Sequence, residues 1–200
     1  VSNSPGDASP LYRMLVPWDA EFDTYNNVGV GFEGFMPNDI HARSTYDSFL
    51  GLENGDASTG TGSIKLGVTA DIQAWVNEGQ TNYGWLMPGW VGRLDGTVIS
   101  SSEASHPEAR PRLRVLWGPN GTAVASFRQG VNDYTGAVDT RIRKETPDAE
   151  GSALTGVFVD WTGSTDQALL RFDEIVGTGP GQIPPGSRID VDMLDVASMI

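Results

Sequence analysis

The 200-residue sequence predicts an all-β fold, a β-sandwich or jelly roll in which one short helix caps the core. The chain contains 25 glycines and 12 prolines and is 38% hydrophobic, a composition typical of short strands joined by many turns. Most of its apolar residues alternate with polar ones at the period of a strand. One run only has the longer period of a helix. A chain of this length can bury roughly 70% of its unfolded surface, so a core without disulfides is expected.

The strands are predicted in chain order from alternation and from the turn residues between them. In the final stretch, "RIDVDMLDVASMI", Ile189, Val191 and Met193 alternate with aspartates, and the phase then changes at Leu194. Such a phase change indicates a β-bulge. The remaining predicted strands cover residues 12–16, 63–68, 83–87, 97–101, 112–117, 122–128, 138–143 and 168–172.

The predicted helix follows the strand at 63–68. Thr69 is the expected N-cap, Asp71 lies in the first turn near the positive end of the helix dipole, and Gly79 ends the helix. At under three turns the helix is too short to be stable alone, so it must pack over an edge or open end of a sheet. Its apolar stripe consists of Ile72, Trp75 and Val76.

Charge excludes some partners. The sequence has 26 acidic and 13 basic residues and a formal net charge of −13, so its overall field repels nucleic acid.

No apolar run approaches the roughly 20 residues needed to cross a bilayer. The first residues, "VSNSPGDASP", contain neither a methionine start nor a signal-peptide core, and we read them as the start of a processed or excised segment. The absence of cysteine leaves the compartment open.

Four blocks resemble one family. The stretch "VTADIQAWVNEGQTNYGWLMPG", continued by "TVISSSEASHPEARPRLRVLW" up to residue 117, is similar to the C-terminal half of the DNRLRE family of extracellular bacterial and archaeal modules. "FRQGVNDYTGAVDTRIRKETPDAEG", 127–151, resembles the beginning of that domain, and "ALLRFDEI" with "IPPGSRI", within 168–189, resembles its next block. "RMLVPWDAEFDTYN", 13–26, resembles the block that follows. The resemblance implies an extracellular β-sandwich.

The blocks stand in rotated order relative to that family. Residues 1–118 resemble the C-terminal two-thirds of the domain, 119–138 form a connector with the first strand, and 139–200 resemble the N-terminal third. The chain is then a permuted single domain, one period of a tandem array cut out of phase, or a subunit that completes its neighbour. In the last two arrangements strands pass between units, and open head-to-tail pairing of this kind builds a filament.

Two functions follow from this arrangement. The first is a non-catalytic extracellular structural module, the repeating unit of a secreted surface or filament protein, with copies of itself as head-to-tail partners. The alternative is a carbohydrate-binding module of a polysaccharide-acting protein, because modules related to this family bind alginate.

Candidate sugar-binding residues surround the "YGWLMPGW" turn. Tyr83, Trp85 and Trp90 offer aromatic faces for stacking on sugar rings, and Arg112 and Arg114 alternate on a strand where they would attract an acidic polymer. On a period-2 strand, however, Tyr83 and Trp85 share one face, and such a stripe is more often core. The arginines are equally suited to pairing with nearby carboxylates.

Two further sites are predicted in loops. Asp160 and Asp166 flank "WTGST", and their carboxylates together with backbone oxygens suit a structural calcium ion, although solvated acidic loops are commoner. No other cofactor is expected. Asn120 begins the sequence "NGT", a glycosylation acceptor in an accessible connector.

A catalytic group is not expected. Ser102, Glu103 and His106 lie within five residues, but no nucleophile elbow or oxyanion loop accompanies them. His41, the other histidine, is predicted to be a surface residue of a loop. We therefore predict that the protein is not an enzyme.

Overall fold

Two antiparallel sheets pack face to face, with one helix at their end. The computed structural model describes residues 9–28, 34–50, 63–88, 97–159 and 166–199, and within these ranges it has eleven strands and one α-helix. The all-β sandwich with a short helix is thereby confirmed. The strands are β1 Ser9–Arg13, β2 Ser48–Leu50, β3 Ser63–Leu66, β4 Trp85–Met87, β5 Thr97–Ser100, β6 Arg112–Trp117, β7 Ala123–Phe127, β8 Ala137–Arg143, β9 Gly156–Val159, β10 Asp166–Phe172 and β11 Ile189–Met199, and the helix is α1 Thr69–Asn77.

The two sheets have strand orders that depart from chain order. The five-stranded sheet runs β2-β1-β4-β10-β8, and the six-stranded sheet runs β7-β6-β11-β5-β9 with β3 also paired to β11. Alternate residues of the six-stranded sheet, such as Leu113 and Val115, are fully buried and face the other sheet. From the other side Leu170 and Trp85 meet them in the same core.

The helix α1 closes one end of this core through a buried polar contact as well as its apolar stripe. The Trp75 ring lies 5.0 Å from that of Trp85. The Trp85 indole N–H donates to Asp71 Oδ2 at 2.6 Å, and Arg13 Nε lies 3.6 Å from Asp71 Oδ1. Burial, with the charge of Asp47 as a further cause, raises the pKa of Asp71 to about 7.

The outer face of the five-stranded sheet is also covered. Met14, Trp18 and Phe35, which come from the irregular segments after β1, form a second apolar cluster with Leu86 and Leu169 of the sheet. As a result β4 and most of β10 are buried on both faces, and strands buried on both faces lose the alternation of a half-exposed strand.

Several local predictions need correction. The strand at 83–87 begins only at Trp85, because Gly84 has φ +70°, and Tyr83 therefore packs against the second cluster rather than on the face of Trp85. The N-cap of α1 is Val68, and Thr69 is the first helical residue. The bulge in β11 lies between Ile189 and Val191, ahead of the predicted phase change. Strands β2 and β9 were not predicted.

No described helix has the length and apolarity needed to cross a membrane.

Candidate assembly interface

The candidate interface joins two parts of the chain. We define the N-terminal block as the described residues of 9–127 and the C-terminal block as those of 137–199. Strand β10 of the C-terminal block pairs with β4, with Leu169 opposite Leu86. Strand β11 pairs with β6, β3 and β5, and β9 pairs with β5. Both sheets are therefore built from strands of both blocks.

A buried amide attaches the covering loop to β10 across this interface. Gln167 Oε1 accepts the Phe35 N–H at 2.9 Å, and Gln167 Nε2 donates to the Phe35 carbonyl at 2.7 Å. A Cβ on Gly34, which has φ +75°, would lie 2.8 Å from the same amide oxygen. The two reciprocal hydrogen bonds satisfy a polar side chain that is 5% exposed, which burial would otherwise penalise.

Arg171 makes a second attachment between the blocks. Its guanidinium carbon lies 4.7 Å above the Trp18 ring, and Nη1 donates to the Trp18 carbonyl at 3.0 Å. Asp173 pairs with Arg171 Nε at 2.6 Å. The cation–π contact and the hydrogen bond thus hold the loop that carries Trp18, while the salt bridge to Asp173 orients the guanidinium.

A buried carboxyl makes the third attachment. Asp139 of β8 accepts the Ser102 N–H at 2.6 Å, and Ser102 Oγ donates to Glu103 Oε1 at 2.6 Å. Burial raises the pKa of Asp139 to about 7; the Ser102 N–H opposes this rise and the charge of Glu103 adds to it. Asp139 and Glu103 line a cavity of about 520 Å³. The stability of the interface is therefore linked to pH.

The covalent link between the blocks is the loop of residues 128–136. Three of its residues have left-handed backbone conformations, Gly130 at φ +73°, Asn132 at φ +52° and Asp133 at φ +61°. The Gly130 N–H donates to the Tyr134 carbonyl at 2.8 Å. Left-handed conformations cost free energy at residues other than glycine, but less at asparagine and aspartate than at other residues, so the closed loop carries a small conformational cost.

The predicted aromatic sugar site is not formed as expected. Trp85 is fully buried, so its ring faces are not available to a sugar, which corrects the prediction for this residue. Tyr83 is partly buried against the second cluster, and its carbonyl accepts the Trp18 indole N–H at 2.6 Å. Trp90 lies outside the described residues.

The two predicted arginines lie on the outer face of the six-stranded sheet. Arg112 donates from Nε to Asp195 Oδ2 at 2.9 Å, and its side chain is 38% exposed. Arg114 is exposed and stands opposite Met193 of β11 and Ser126 of β7. Arg112 thus has the carboxylate pairing that was the alternative to ligand binding, and Arg114 presents its charge to solvent.

The predicted calcium site is only partly described. Asp166 begins β10, is fully buried and has its Oδ1 3.4 Å from Arg143 Nε. Asp160 lies outside the described residues. Among the residues that the structure describes, no three acidic or histidine side chains converge as metal ligands would. The calcium site therefore stays a prediction.

The remaining candidates occupy different environments. Asn120 is exposed in the loop between β6 and β7, with φ +59°. His106 is exposed and its Nδ1 lies 3.3 Å from Glu108, whereas the Ser102 hydroxyl bonds to Glu103. His41 is buried, which corrects its prediction as a surface residue, and its Nδ1 accepts the Met36 N–H.

The residues that join the blocks were not predicted from the sequence. Asp139 and Arg171 lie in predicted strands and Gln167 directly precedes one. Alternation does not reveal their partners, which lie far away along the chain. The one available signal was a polar residue in an otherwise apolar strand, as in "DQALLRF".

Comparison with known proteins identifies no relative of this chain. No family model, no curated protein and no solved structure matches the chain.

Proposed function

We propose that the chain is a non-catalytic structural module, the repeating unit of an extracellular surface or filament protein whose adjacent copies complete one another by exchanging strands. The observation that carries the proposal is the division of both sheets between two blocks joined by one loop, residues 128–136. The extracellular setting rests on the resemblance to DNRLRE modules.

Strand exchange would conserve almost every contact of the single chain. A C-terminal block that pairs with the N-terminal block of the next copy forms the same β10–β4 and β11–β6 ladders. The difference in free energy is then confined to the loop, where extension relieves the left-handed residues, and to the entropy of association, which protein concentration offsets. Each copy gives a block to one neighbour and receives one from another, so the contact is head-to-tail and extends into a filament.

The absence of cysteine makes a crosslinking test straightforward. Arg114 of β6 and Met193 of β11 stand directly opposite each other across the two blocks. Their Cα atoms are then roughly 5.5 Å apart, as an inter-strand disulfide requires. We expect Arg114→Cys/Met193→Cys protein, refolded at high concentration and oxidised, to run as a ladder of linked chains on a denaturing gel without reductant.

Two loop variants provide matched controls. Asn132 and Asp133 are exposed, so substituting them leaves the core unchanged. Asn132→Val/Asp133→Val raises the cost of the closed loop by about 1 kcal/mol or more per residue and should enrich the ladder, whereas Asn132→Gly/Asp133→Gly should reduce it. An intrachain disulfide alone, at every concentration and in all three loop backgrounds, would contradict strand exchange.

One observation favours the second candidate, a carbohydrate-binding module. Arg114 presents its charge on the outer face of the six-stranded sheet, on the same side of β6 as the partly exposed Arg112, and guanidinium groups suit the carboxylates of an acidic polysaccharide. If this function holds, Arg114→Ala should weaken binding of a soluble polyuronate about tenfold, measured by affinity electrophoresis. Arg188→Ala, which removes an exposed arginine that pairs with Asp190, is the control and should have little effect.

A further inference from the structure

Strand β7 has an open edge. In the described part of the chain it pairs with β6 on one side and with no strand on the other. The Gly118 N–H donates to the Arg188 carbonyl, so the backbone groups of Trp117 point away from β11 and toward β7. The register Trp117↔Ala123 and Leu116↔Val124 then directs the N–H and C=O groups of Val124 and Ser126 outward.

A groove runs along this open edge. It has a volume of about 890 Å³ and lies between β7 and the loops that follow β10, with Gly179, Pro180 and Gly181 in its far wall. A wall with so little side chain lets a second backbone approach closely. The wall is held in place because Gln182 Oε1 accepts the Gly179 N–H at 2.9 Å and Gln182 Nε2 donates to the Glu174 carbonyl at 2.7 Å.

The floor of the groove is sealed from the core. The Tyr134 ring stands 5.2 Å from that of Phe127 and 6.4 Å from that of Phe172, and its hydroxyl donates to the Asp173 carbonyl at 2.9 Å. An occupant would therefore rest on this ring and hydrogen-bond to the edge of β7 without opening the sandwich.

The charges in the groove select the occupant. The charged residues that line it are Asp133, Asp173 and Glu174, and all three are acidic. Asp173 pairs with Arg171, whereas Asp133 and Glu174 have no cationic partner among the described residues. A second copy of this chain, with net charge −13, is repelled from such a site, while a cationic segment is attracted.

We infer that the β7 edge binds an extended segment of another protein that carries lysine or arginine at alternate positions. The segment adds a strand to the six-stranded sheet, with its backbone on Val124 and Ser126 and its basic side chains toward Asp133 and Glu174. Among the described residues the outer edge of β7 is free whether the C-terminal block comes from the same copy or the next. Asp133 and Tyr134 belong to the loop 128–136, so the complete groove is a feature of the closed single chain.

The test uses a fluorescent peptide of about six residues, the length of a typical strand, with alternating lysine and valine. We expect saturable binding by fluorescence anisotropy, weakened at least about tenfold by Ser126→Pro, which removes one outward N–H and leaves the ladder to β6 intact. Asp133→Asn/Glu174→Gln should weaken binding by a similar factor. Amide hydrogen exchange at Val124 and Ser126 should slow in the complex.

Controls separate this mode from other contacts. A peptide with glutamate in place of lysine should not bind, and Ser126→Ala, which keeps the N–H, should bind like the parent. Unchanged affinity in Ser126→Pro, with loss in the charge variants, would show surface attraction only and overturn the inference. Failure of the lysine peptide to bind would overturn it too, as would a self-association that Ser126→Pro abolishes, since the occupant would then be a second copy.

Discussion

Gly84→Ala is expected to lower the free energy of unfolding by about 3 kcal/mol or more, the sum of a strained backbone and an overpacked contact. Gly84 has φ +70° and directly precedes β4, beside the backbone of Leu170 and Arg171 in β10. A Cβ at this position would press on the Leu170 carbonyl oxygen and lie 2.8 Å from Arg171 Cα. Both are backbone atoms of a central strand, so neither can move without disturbing the ladder between β4 and β10. Urea denaturation measures the loss.

Gly79→Ala is the matched control for this substitution. Gly79 has a similar φ of +65° just beyond α1, but a Cβ there meets no described atom within 4 Å. Gly79→Ala should lower the free energy of unfolding only by the cost of placing alanine in a left-handed conformation, about 1 kcal/mol. Equal losses in the two variants would show that the close approach at β10 is not what requires glycine at position 84.

Asp139→Asn is expected to stabilise the protein above pH 7 and to flatten its pH dependence. The folded-state pKa of Asp139 is raised from 3.8 to about 7 by burial, so the folded protein binds the proton more tightly than the unfolded chain. The stability from this group is fully present below about pH 4, declines as pH rises through 7, and is lost when the buried carboxylate is ionised. The difference corresponds to up to about 4 kcal/mol.

The measurement is the free energy of unfolding across this pH range. The parent should become more stable as pH falls from above 7 toward 4, and Asp71, whose pKa is raised in the same direction, should preserve part of that slope in Asp139→Asn. The double variant Asp71→Asn/Asp139→Asn should remove most of it. Glu150→Gln, at an exposed position, serves as the control. A slope that is identical in Asp139→Asn and the parent would exclude Asp139 as its source.

The alternation of apolar and polar residues predicted the strands that have one solvent-exposed face. In β6, Leu113 and Val115 point into the core while Arg112 and Arg114 point outward, and the predicted bounds 112–117 match the strand. The helix was equally visible, because Ile72, Trp75 and Val76 form a stripe that the core requires. In both cases each residue's environment follows from its immediate neighbours.

Other features depend on contacts between distant residues. The predicted strand begins at Ala168, two residues after the start of β10. Asp166 and Gln167 are polar residues that are buried against Arg143 and Phe35, and no local pattern indicates such burial. The contact of Asp139 with Ser102 joins residues 37 positions apart. Tyr83 does not share a strand face with Trp85, because the chain turns at Gly84, where its backbone lies close to β10. The interface between the blocks therefore could not be predicted from local sequence patterns.

The position of β11 has a consequence for how the protein is made. This strand pairs with β6, β3 and β5 and follows all three along the chain. A ribosome therefore releases those strands before their common partner exists. Strand β6 can pair with β7 and β5 with β9 in the meantime, but β11 is needed to join these pairs and β3 into one sheet. Folding of the six-stranded sheet is a late, long-range event, and the emerging chain needs protection from aggregation until Ile189–Met199 arrives.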